Sequence, residues 1–218
     1  MIDAIFVPRG SEERAVRRAL GRARSTARVI ATGVGERAAA RAVDDTQDVP
    51  LRGALLTGFC GLLSPAFAVA DTLVYATIRN GYESPIAFDR EFAAHVAARV
   101  PGVQTGVHAV SAPTVITRAV EKRALGERFG ADAVDMESFA LTAALQRRDV
   151  PVAALRIGSD GVEDDLPELD RALDGSGGID GFALALAMLR RPIAGARLAR
   201  SGTRALAALE AAVYAVMR

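Results

Sequence analysis

The sequence predicts an α/β fold with a largely parallel or mixed sheet, on two observations. Short apolar runs of β type alternate with Ala- and Arg-rich stretches of helical type along the chain, and this alternation is typical of proteins in which helices cover a sheet. The 218 residues are 50% hydrophobic and 24% charged, which is the composition of an ordinary globular protein. We expect a single domain over residues 1–218.

Strands and helices are assigned from apolar runs and from the Gly, Pro and polar residues that bound them. Strands are predicted at residues 2–8, 28–32, 54–57, 72–78, 103–110, 133–136 and 152–157. Helices are predicted at residues 12–23, 36–43, 90–99, 117–128 and 137–148, and Ser11 is expected to cap the first of them. Turns that contain two glycines are predicted at residues 33–35 and 58–61.

The C-terminal part of the chain divides into an acidic and a basic segment. Residues 161–181 are rich in Asp, Glu and Gly, which predicts a surface loop. Residues 190–218 are rich in Arg, and their apolar residues recur at near-heptad spacing, which predicts a basic amphipathic helix. These apolar residues are Leu198, Leu206, Leu209, Val213 and Val216.

Composition excludes several classes of function. The net charge of +1 gives no general attraction for nucleic acid. With one Cys and two His, an internal disulfide and a zinc site are not expected, and we predict no metal and no cofactor. No apolar run has the length of a membrane span, and the N-terminus does not resemble a signal peptide. We therefore expect a cytoplasmic protein.

Acidic residues follow three of the predicted strands. Glu12 and Glu13 follow the first, Glu137 follows the strand at 133–136, and Asp160 follows Ser159 after the last. In α/β sheets, ligands bind beyond the carboxyl ends of the strands, so the sequence predicts a pocket lined by carboxylates. Spacing alone leaves a second interpretation open, in which the Glu residues interact with helix dipoles and Asp160 closes a turn.

The two glycine turns are weaker signals. Gly33 to Gly35 joins a strand to a helix, where backbone N–H groups can bind a polar ligand, but Ala38 replaces the third glycine of a dinucleotide-binding motif. Gly58 and Phe59 begin the second turn, in which we interpret Cys60 as a packing residue rather than a reactive thiol.

Four motifs occur in an order that resembles a known superfamily. They are Ile-Ala-Thr-Gly-Val-Gly at 30–35, Leu-Thr-Gly-Phe-Cys-Gly-Leu-Leu-Ser-Pro at 56–65, Val-Asp-Met-Glu-Ser at 134–138 and Arg-Ile-Gly-Ser-Asp at 156–160. Together they resemble the purine nucleoside phosphorylases and the methylthioadenosine/S-adenosylhomocysteine nucleosidases over about residues 2–160. The resemblance implies a three-layer α/β/α fold with a central mixed, mostly parallel β-sheet, and an enzyme that cleaves the N-glycosidic bond of a purine nucleoside.

The resemblance also implies roles for individual residues. Asp160 would protonate the purine and Ser159 would orient it. Glu137 would bind the ribose hydroxyls, and Met136 would pack against the sugar. The loop at 111–114, with Thr114, would line the base pocket, and the turns at Gly33, Gly58 and Phe59 would contact the substrate. Glu12 or Glu13 would position the attacking water, and we favour Glu12.

Two departures from the family pattern leave the nucleophile open. Phe59 stands where nucleosidases usually have a hydroxyl residue. The Arg with which phosphorylases grip phosphate is replaced by Leu56 and Thr57, and Arg9, Arg14 and Arg52 are the candidates to substitute for it. Phosphate therefore stays open as a co-substrate.

The C-terminal segment, with Leu-Arg-Arg-Pro at 189–192, resembles the hopanoid-associated phosphorylases. This implies a phosphorylase-like release of adenine from adenosylhopane, a lipid-linked nucleoside, and a homo-oligomer. The basic helix at 190–218 would dock on a membrane surface or, alternatively, pack on the protein's own sheet or on a dimer partner. Two other functions stay open: a soluble nucleosidase acting on methylthioadenosine, S-adenosylhomocysteine or futalosine, and a nucleoside-binding module without catalysis.

Overall fold

The computed structural model describes residues 1–33, 35–166 and 192–218. The described strands are β1 (Ala4–Pro8), β2 (Arg28–Thr32), β3 (Ala54–Leu62), β4 (Thr72–Arg79), β5 (Ile86–Ala87), β6 (Gln104–Ser111), β7 (Ala133–Asp135) and β8 (Val152–Asp160). The described helices are α1 (Ser11–Ala23), α2 (Glu36–Asp44), α3 (Arg90–Ala97), α4 (Ala119–Phe129), α5 (Ser138–Gln146) and α6 (Pro192–Met217).

The eight described strands form one mixed sheet in the order β2-β1-β3-β7-β6-β4-β5, with β8 paired to both β3 and β4. Parallel pairing joins β1 to β2 and β3, β3 to β8, and β6 to β4 and β7. Antiparallel pairing joins β3 to β7 and β4 to β5 and β8. The pairings of β3, β8, β4, β6 and β7 therefore close a ring, which brings the carboxyl ends of β3, β7 and β8 together.

Helices cover both faces of the sheet. Alternate residues of β1 point to opposite faces: Phe6 packs in a core with α2 and α5, whereas Ile5 packs in a core with α1, α3 and α6. The predicted mixed α/β fold with layers of helices around the sheet is confirmed.

Strand β3 differs most from its sequence prediction. The turn predicted at 58–61 is wrong, because β3 continues through these residues to Leu62. It pairs with β8 up to Gly61, with a bulge between Cys60 and Gly61, and it pairs with β7 at Gly61 and Leu62. Glycine in a strand marks a bulge or a close approach of another group, and both occur here.

Smaller differences concern the ends of elements. Ser11 is the first residue of α1 rather than its cap; Gly10 holds the N-cap position, without a capping side chain. Strand β8 extends to Asp160, three residues beyond its prediction, and the short strand β5 was not predicted. Of the acidic loop predicted at 161–181, only residues 161–166 lie within the described residues.

Helix α6 packs on the body of the protein. Leu209 and Val213 are fully buried in the core that contains α1 and β8, and Leu206 packs against it. Glu210 accepts hydrogen bonds from Arg18 at 2.8 Å and Arg22 at 3.2 Å on α1. These contacts agree with the alternative in which the apolar face of the helix packs on the protein's own sheet. In the described residues, no helix has both the length and the apolar character needed to cross a membrane.

We predict that two neighbouring residues of α6 differ sharply in their contribution to stability. Leu209→Ala should lower the free energy of unfolding by about 2–5 kcal/mol, because it leaves a cavity between the helix and the sheet. Glu210→Ala, the matched control, should cost about 1 kcal/mol or less, because its ion pairs lie at the surface. Urea denaturation measures both, and equal losses would contradict the packing of α6.

Candidate active site

A cavity of about 200 Å³ lies at the carboxyl ends of β3, β7 and β8. This is somewhat smaller than the usual small-molecule pocket of about 300–1,000 Å³. Among the described residues its lining combines three carboxylates of interest, Glu12, Glu137 and Asp160, with mostly apolar neighbours. The other lining residues are Pro8, Phe59, Cys60, Gly61, Thr114, Val115, Ile116, Val134, Asp135, Met136, Ser159 and Leu166.

Glu12 enters the cavity from the first turn of α1. Its Oε1 accepts a hydrogen bond of 2.8 Å from the backbone N–H of Phe59 in β3. Burial raises the pKa of Glu12 to about 7, and the neighbouring charge of Glu137 adds to this effect, whereas the Phe59 N–H and Arg156 oppose it. A carboxyl group with a pKa near neutrality can act as a general base.

Gly58 permits this approach of Glu12. A Cβ atom built on Gly58 would lie 2.7 Å from Glu12 Oε1 and 2.9 Å from a terminal nitrogen of Arg156. Its φ of +133° is also a conformation that side chains disfavour. The glycine therefore leaves room beside the backbone of β3 for both the Glu12 carboxylate and the Arg156 guanidinium.

Glu137 lies between β7 and α5, at the N-cap of α5. Its side chain is buried, and its Oε1 accepts a hydrogen bond of 3.2 Å from the N–H of Gly35, the N-cap of α2. Burial raises the pKa of Glu137 to about 7 although Arg156 opposes the shift. Around neutral pH, Glu12 and Glu137 thus form a pair in which ionisation of one disfavours ionisation of the other.

Arg156 lies beneath the cavity and is 1% exposed. It donates hydrogen bonds to Ser138 Oγ at 2.8 Å and to the carbonyl of Thr57 at 3.2 Å, and its Nε lies 3.5 Å from Asp135 Oδ2. Burial alone lowers the pKa of Arg156, but Asp135 and Glu137 outweigh it and raise this pKa above its usual value. The guanidinium is therefore a permanent positive charge under the acids.

Asp160 ends β8 and is 6% exposed. Its Oδ1 accepts a hydrogen bond of 2.6 Å from Ser159 Oγ, and its Oδ2 forms an ion pair with Lys122 of α4. Ser159 Oγ also lies 3.1 Å from the carbonyl of Cys60. The carboxyl group is thus fixed from β8 and from α4 while its residue lines the cavity.

The structure brings most of the predicted site residues to this cavity. Glu12, Phe59, Thr114, Met136, Glu137, Ser159 and Asp160 all line it. Glu13 does not: it pairs with Arg17 on α1, with an oxygen–nitrogen distance of 2.8 Å. Gly33 is not part of the lining, and its neighbour Gly35 makes the contact to Glu137 instead. Gly58 is not part of the lining either, but it leaves the space beside β3 that the Glu12 carboxylate occupies.

Sequence reasoning missed two charged residues that organise the site. Arg156 sits within an apolar strand, where an Arg is unusual, and Lys122 is the only lysine of the chain. Both are fully or almost fully buried. The sequence signals that could have identified them were the single lysine of the chain and the Arg within an apolar strand, because such charged residues are rarely buried without a partner.

Cys60 lines the cavity but is not an activated nucleophile. It is 3% exposed, and burial raises the pKa of its thiol to about 12. The thiolate is therefore not formed near neutral pH.

A model of the phosphorylase superfamily matches residues 6–189. The chain belongs to this superfamily. The matched range contains every described element of the site, from β1 to β8. The membership confirms the resemblance in the sequence and the prediction of an enzyme of the nucleoside phosphorylase and nucleosidase class. A comparison with curated proteins gave no match.

Solved structures of nucleosidases share the fold. A methylthioadenosine/S-adenosylhomocysteine nucleosidase of Helicobacter pylori, solved with butyl-thio-DADMe-Immucillin-A, has a TM-score of 0.70 at 14% identity, with 96% of each chain covered. The futalosine hydrolase of H. pylori has the same TM-score, identity and coverage. The Streptococcus pneumoniae nucleosidase has a TM-score of 0.65 at 16% identity, covering 97% of this chain and 99% of its own. At these identities the likeness shows the fold.

No metal site is evident in the described part of the chain, and the arginines predicted as phosphate ligands do not line the cavity. No group of three or more His, Cys, Asp or Glu residues there is arranged to hold a metal ion. The three arginines considered for phosphate lie outside the cavity lining: Arg9 and Arg14 are exposed, and Arg52 pairs with Asp3 at 3.3 Å.

We predict a pH-dependent effect of Glu12→Gln on stability. The pKa of Glu12 is raised from 4.5 to about 7, so the folded protein binds more protons than the unfolded chain in this range and loses stability as the pH rises through 7. The variant lacks this titration, and its amide oxygen can still accept the Phe59 N–H. We therefore compare the free energy of unfolding of the variant with that of the wild type at each pH. This difference should favour the variant by about 1–3 kcal/mol more at pH 8 than at pH 5.

Denaturant unfolding at the two pH values measures this difference. Glu13→Gln is the matched control, because Glu13 is the next residue of the same helix turn and faces Arg17; its effect should stay within about 1 kcal/mol. An identical response of the two variants would show that Glu12 is not buried against Glu137.

Proposed function

We propose that the protein cleaves the N-glycosidic bond of an adenine nucleoside. The observation that carries this proposal is the convergence of Glu12, Glu137 and Asp160 on one cavity, each from a different strand end and in a different environment. Departure of a purine needs a proton for the base, a grip on the sugar and a nucleophile. The three carboxyl groups can serve these three needs separately.

On the base side, Asp160 is the proposed proton donor. Ser159 and Lys122 hold its two oxygens, so the carboxyl group is oriented before the base arrives. Proton transfer by a positioned group contributes about 10²–10⁴ in rate. Thr114 and Val115, from the loop after β6, line the same cavity and are proposed to contact the base.

On the sugar side, Glu137 is proposed to bind the ribose hydroxyls and Met136 to pack against the ring. The carboxylate of Glu137 can accept two hydrogen bonds from a vicinal diol, and hydrogen bonds to a charged group contribute about 1.5–3 kcal/mol each. The N–H of Gly35 holds this carboxylate at 3.2 Å, so that its orientation is set before binding.

For the nucleophile we propose water, activated by Glu12. A pKa near 7 suits a general base at neutral pH. Phosphate would enter beside the carboxylates Glu12 and Glu137, and among the described residues no Arg or Lys lines the cavity to compensate its charge. This argument favours hydrolysis over the phosphorolysis that the C-terminal resemblance implies.

As the substrate we propose adenosylhopane. The support is the resemblance of residues 189–192 and the apolar character of part of the cavity wall, formed by Phe59, Val115, Ile116 and Leu166, which suits a large apolar 5′ substituent. We further propose that the protein is cytoplasmic and makes peripheral contact with the membrane. We also propose a homo-oligomer and a single domain over residues 1–218. Methylthioadenosine, S-adenosylhomocysteine and futalosine are the alternative substrates.

We predict that Asp160→Asn lowers kcat for adenine release by about 10²–10⁴-fold while adenine still binds. The amide keeps the shape of the side chain but cannot give up a proton to the leaving base. Steady-state kinetics and adenine titration measure the two effects, and thermal unfolding checks the fold.

The control for this variant is Asp132→Asn, which makes the same change on a carboxylate that accepts the N–H of His108 outside the cavity. Unchanged turnover in Asp160→Asn would refute the proton-donor role. An equal loss in the control variant would point to a general effect on folding.

We predict that adenine release does not depend on phosphate. Adenosylhopane in detergent micelles and the three soluble nucleosides are assayed with and without phosphate, and bases are quantified by chromatography. We expect equal rates in both buffers and the highest kcat/KM with adenosylhopane. Strict dependence on phosphate would contradict the proposed nucleophile, faster turnover of methylthioadenosine would favour the soluble nucleosidase, and no cleavage at all would favour a binding module.

A further inference from the structure

Lys122 is the only lysine of the chain, and it is fully buried. It lies in the first turn of α4 and reaches β8, where its Nζ forms an ion pair with Asp160 Oδ2. Lysine is almost never fully buried unless it is paired. Its side chain does not line the cavity, so it touches the proposed proton donor from behind.

All three protons of the ammonium group have an acceptor. Besides Asp160 Oδ2, Nζ donates to the carbonyl of Gly161 at 3.0 Å and to the carbonyl of Asp164 at 2.9 Å. An ammonium group has three donors and no acceptor. The contacts therefore fit a charged lysine that holds the carboxyl group and the chain that follows it.

The chain segment that follows Asp160 also forms hydrogen bonds with residues at the start of α4. Asp165 Oδ1 accepts the N–H of Ala119, the first residue of α4, and the N–H of Leu166 donates to the carbonyl of Thr117, both at 2.8 Å. Residues 160–166 thus form one unit with the start of α4. A displacement of Lys122 would release Asp160 from that unit.

Stability alone does not account for this arrangement. A buried ion pair is often no more stable than apolar residues of the same volume, because both charges lose their hydration. A cation near a helix N-terminus is also opposed by the helix dipole. The position of Lys122 is therefore better explained by what it does to Asp160.

We propose that Lys122 is a positioning residue for Asp160 and compensates the charge that forms when Asp160 gives its proton to the base. This inference rests on the proposed function. In the ion pair Asp160 is a carboxylate, so it first takes up one proton from solvent. As this proton moves to a ring nitrogen of the purine and the glycosidic bond breaks, Asp160 becomes a carboxylate again. The ammonium group is already in contact with Oδ2, and fixed charges of this kind stabilise a charge that develops during the reaction.

The test compares a leaving group that needs a proton with one that does not. Adenine nucleosides need protonation of the base, whereas 4-nitrophenyl β-ribofuranoside releases a phenolate without it. Lys122→Met should lower kcat for adenine release by about 10²-fold or more, with a smaller change in KM. For the nitrophenyl riboside the change should be within about 3-fold, because the sugar and nucleophile side of the site is intact.

A double variant separates catalysis from folding. Lys122→Met alone leaves a buried carboxylate without its partner, whereas Lys122→Met with Asp160→Asn removes both charges and should fold more stably. If Lys122 acts through Asp160, Lys122→Met lowers kcat for adenine release in the wild-type background and has no further effect in the Asp160→Asn background.

Each outcome decides the matter. Equal losses on the two leaving groups, no loss on either, or additive losses in the double variant would overturn the inference while leaving the proposed function in place. Absence of adenine release by wild type, in contrast, would overturn the proposed function itself.

A measurement on the wild-type protein covers the case in which the single variant does not fold. Lysine labelled with nitrogen-15 at Nζ gives one side-chain NMR signal, because the chain has one lysine. Titration with adenine should shift this signal, since adenine would contact the carboxyl group that Lys122 holds. An unchanged signal at saturating adenine would overturn the inference.

Discussion

The buried guanidinium of Arg156 is the interaction on which the site depends. It joins β8 to the carbonyl of Thr57 in β3, to Ser138 at the start of α5 and to Asp135 at the end of β7. Of these elements, β3, β7 and β8 are three of the five strands that close the ring. A single charged side chain thus fixes the geometry of three strand ends and supplies the positive charge that lets Glu12 and Glu137 lie close together in a buried cavity.

The proposed chemistry follows from which carboxyl groups lie near each of the two buried cations. Glu12 and Glu137 both have a pKa of about 7 because burial outweighs the attraction of Arg156. Asp160 lies at the end of β8 with a cation of its own, Lys122. Two cations therefore serve two sides of one cavity, and we assign the sugar and the nucleophile to the first side and the leaving base to the second. This division gives each carboxyl group a different environment and hence a different task.

Much of the fold and part of the site could be predicted from the sequence, for identifiable reasons. The alternation of apolar runs and helical stretches indicated the α/β fold, and acids that directly follow buried strands indicated Glu137 and Asp160. The sequence did not show that β7 runs antiparallel to β3 while β8 runs parallel to it. Gly58 was read as a turn residue, although here it permits the close contact of Glu12 with β3. Spacing could not separate Glu12 from Glu13, and Lys122 has the sequence surroundings of an exposed helix residue, so its burial depends on tertiary packing.

The most direct test of the central claim is a turnover experiment in water enriched in the heavy oxygen isotope. Products of an adenine nucleoside are separated and weighed by mass spectrometry. The account predicts unlabelled free adenine and one heavy oxygen on the anomeric carbon of the released sugar, because water attacks that carbon as the C–N bond breaks. The sugar is measured before its anomeric oxygen exchanges with the solvent, and unlabelled sugar incubated in the same water is the control for that exchange. Label on the purine ring, or a nucleoside recovered intact after incubation with correctly folded protein, would contradict it.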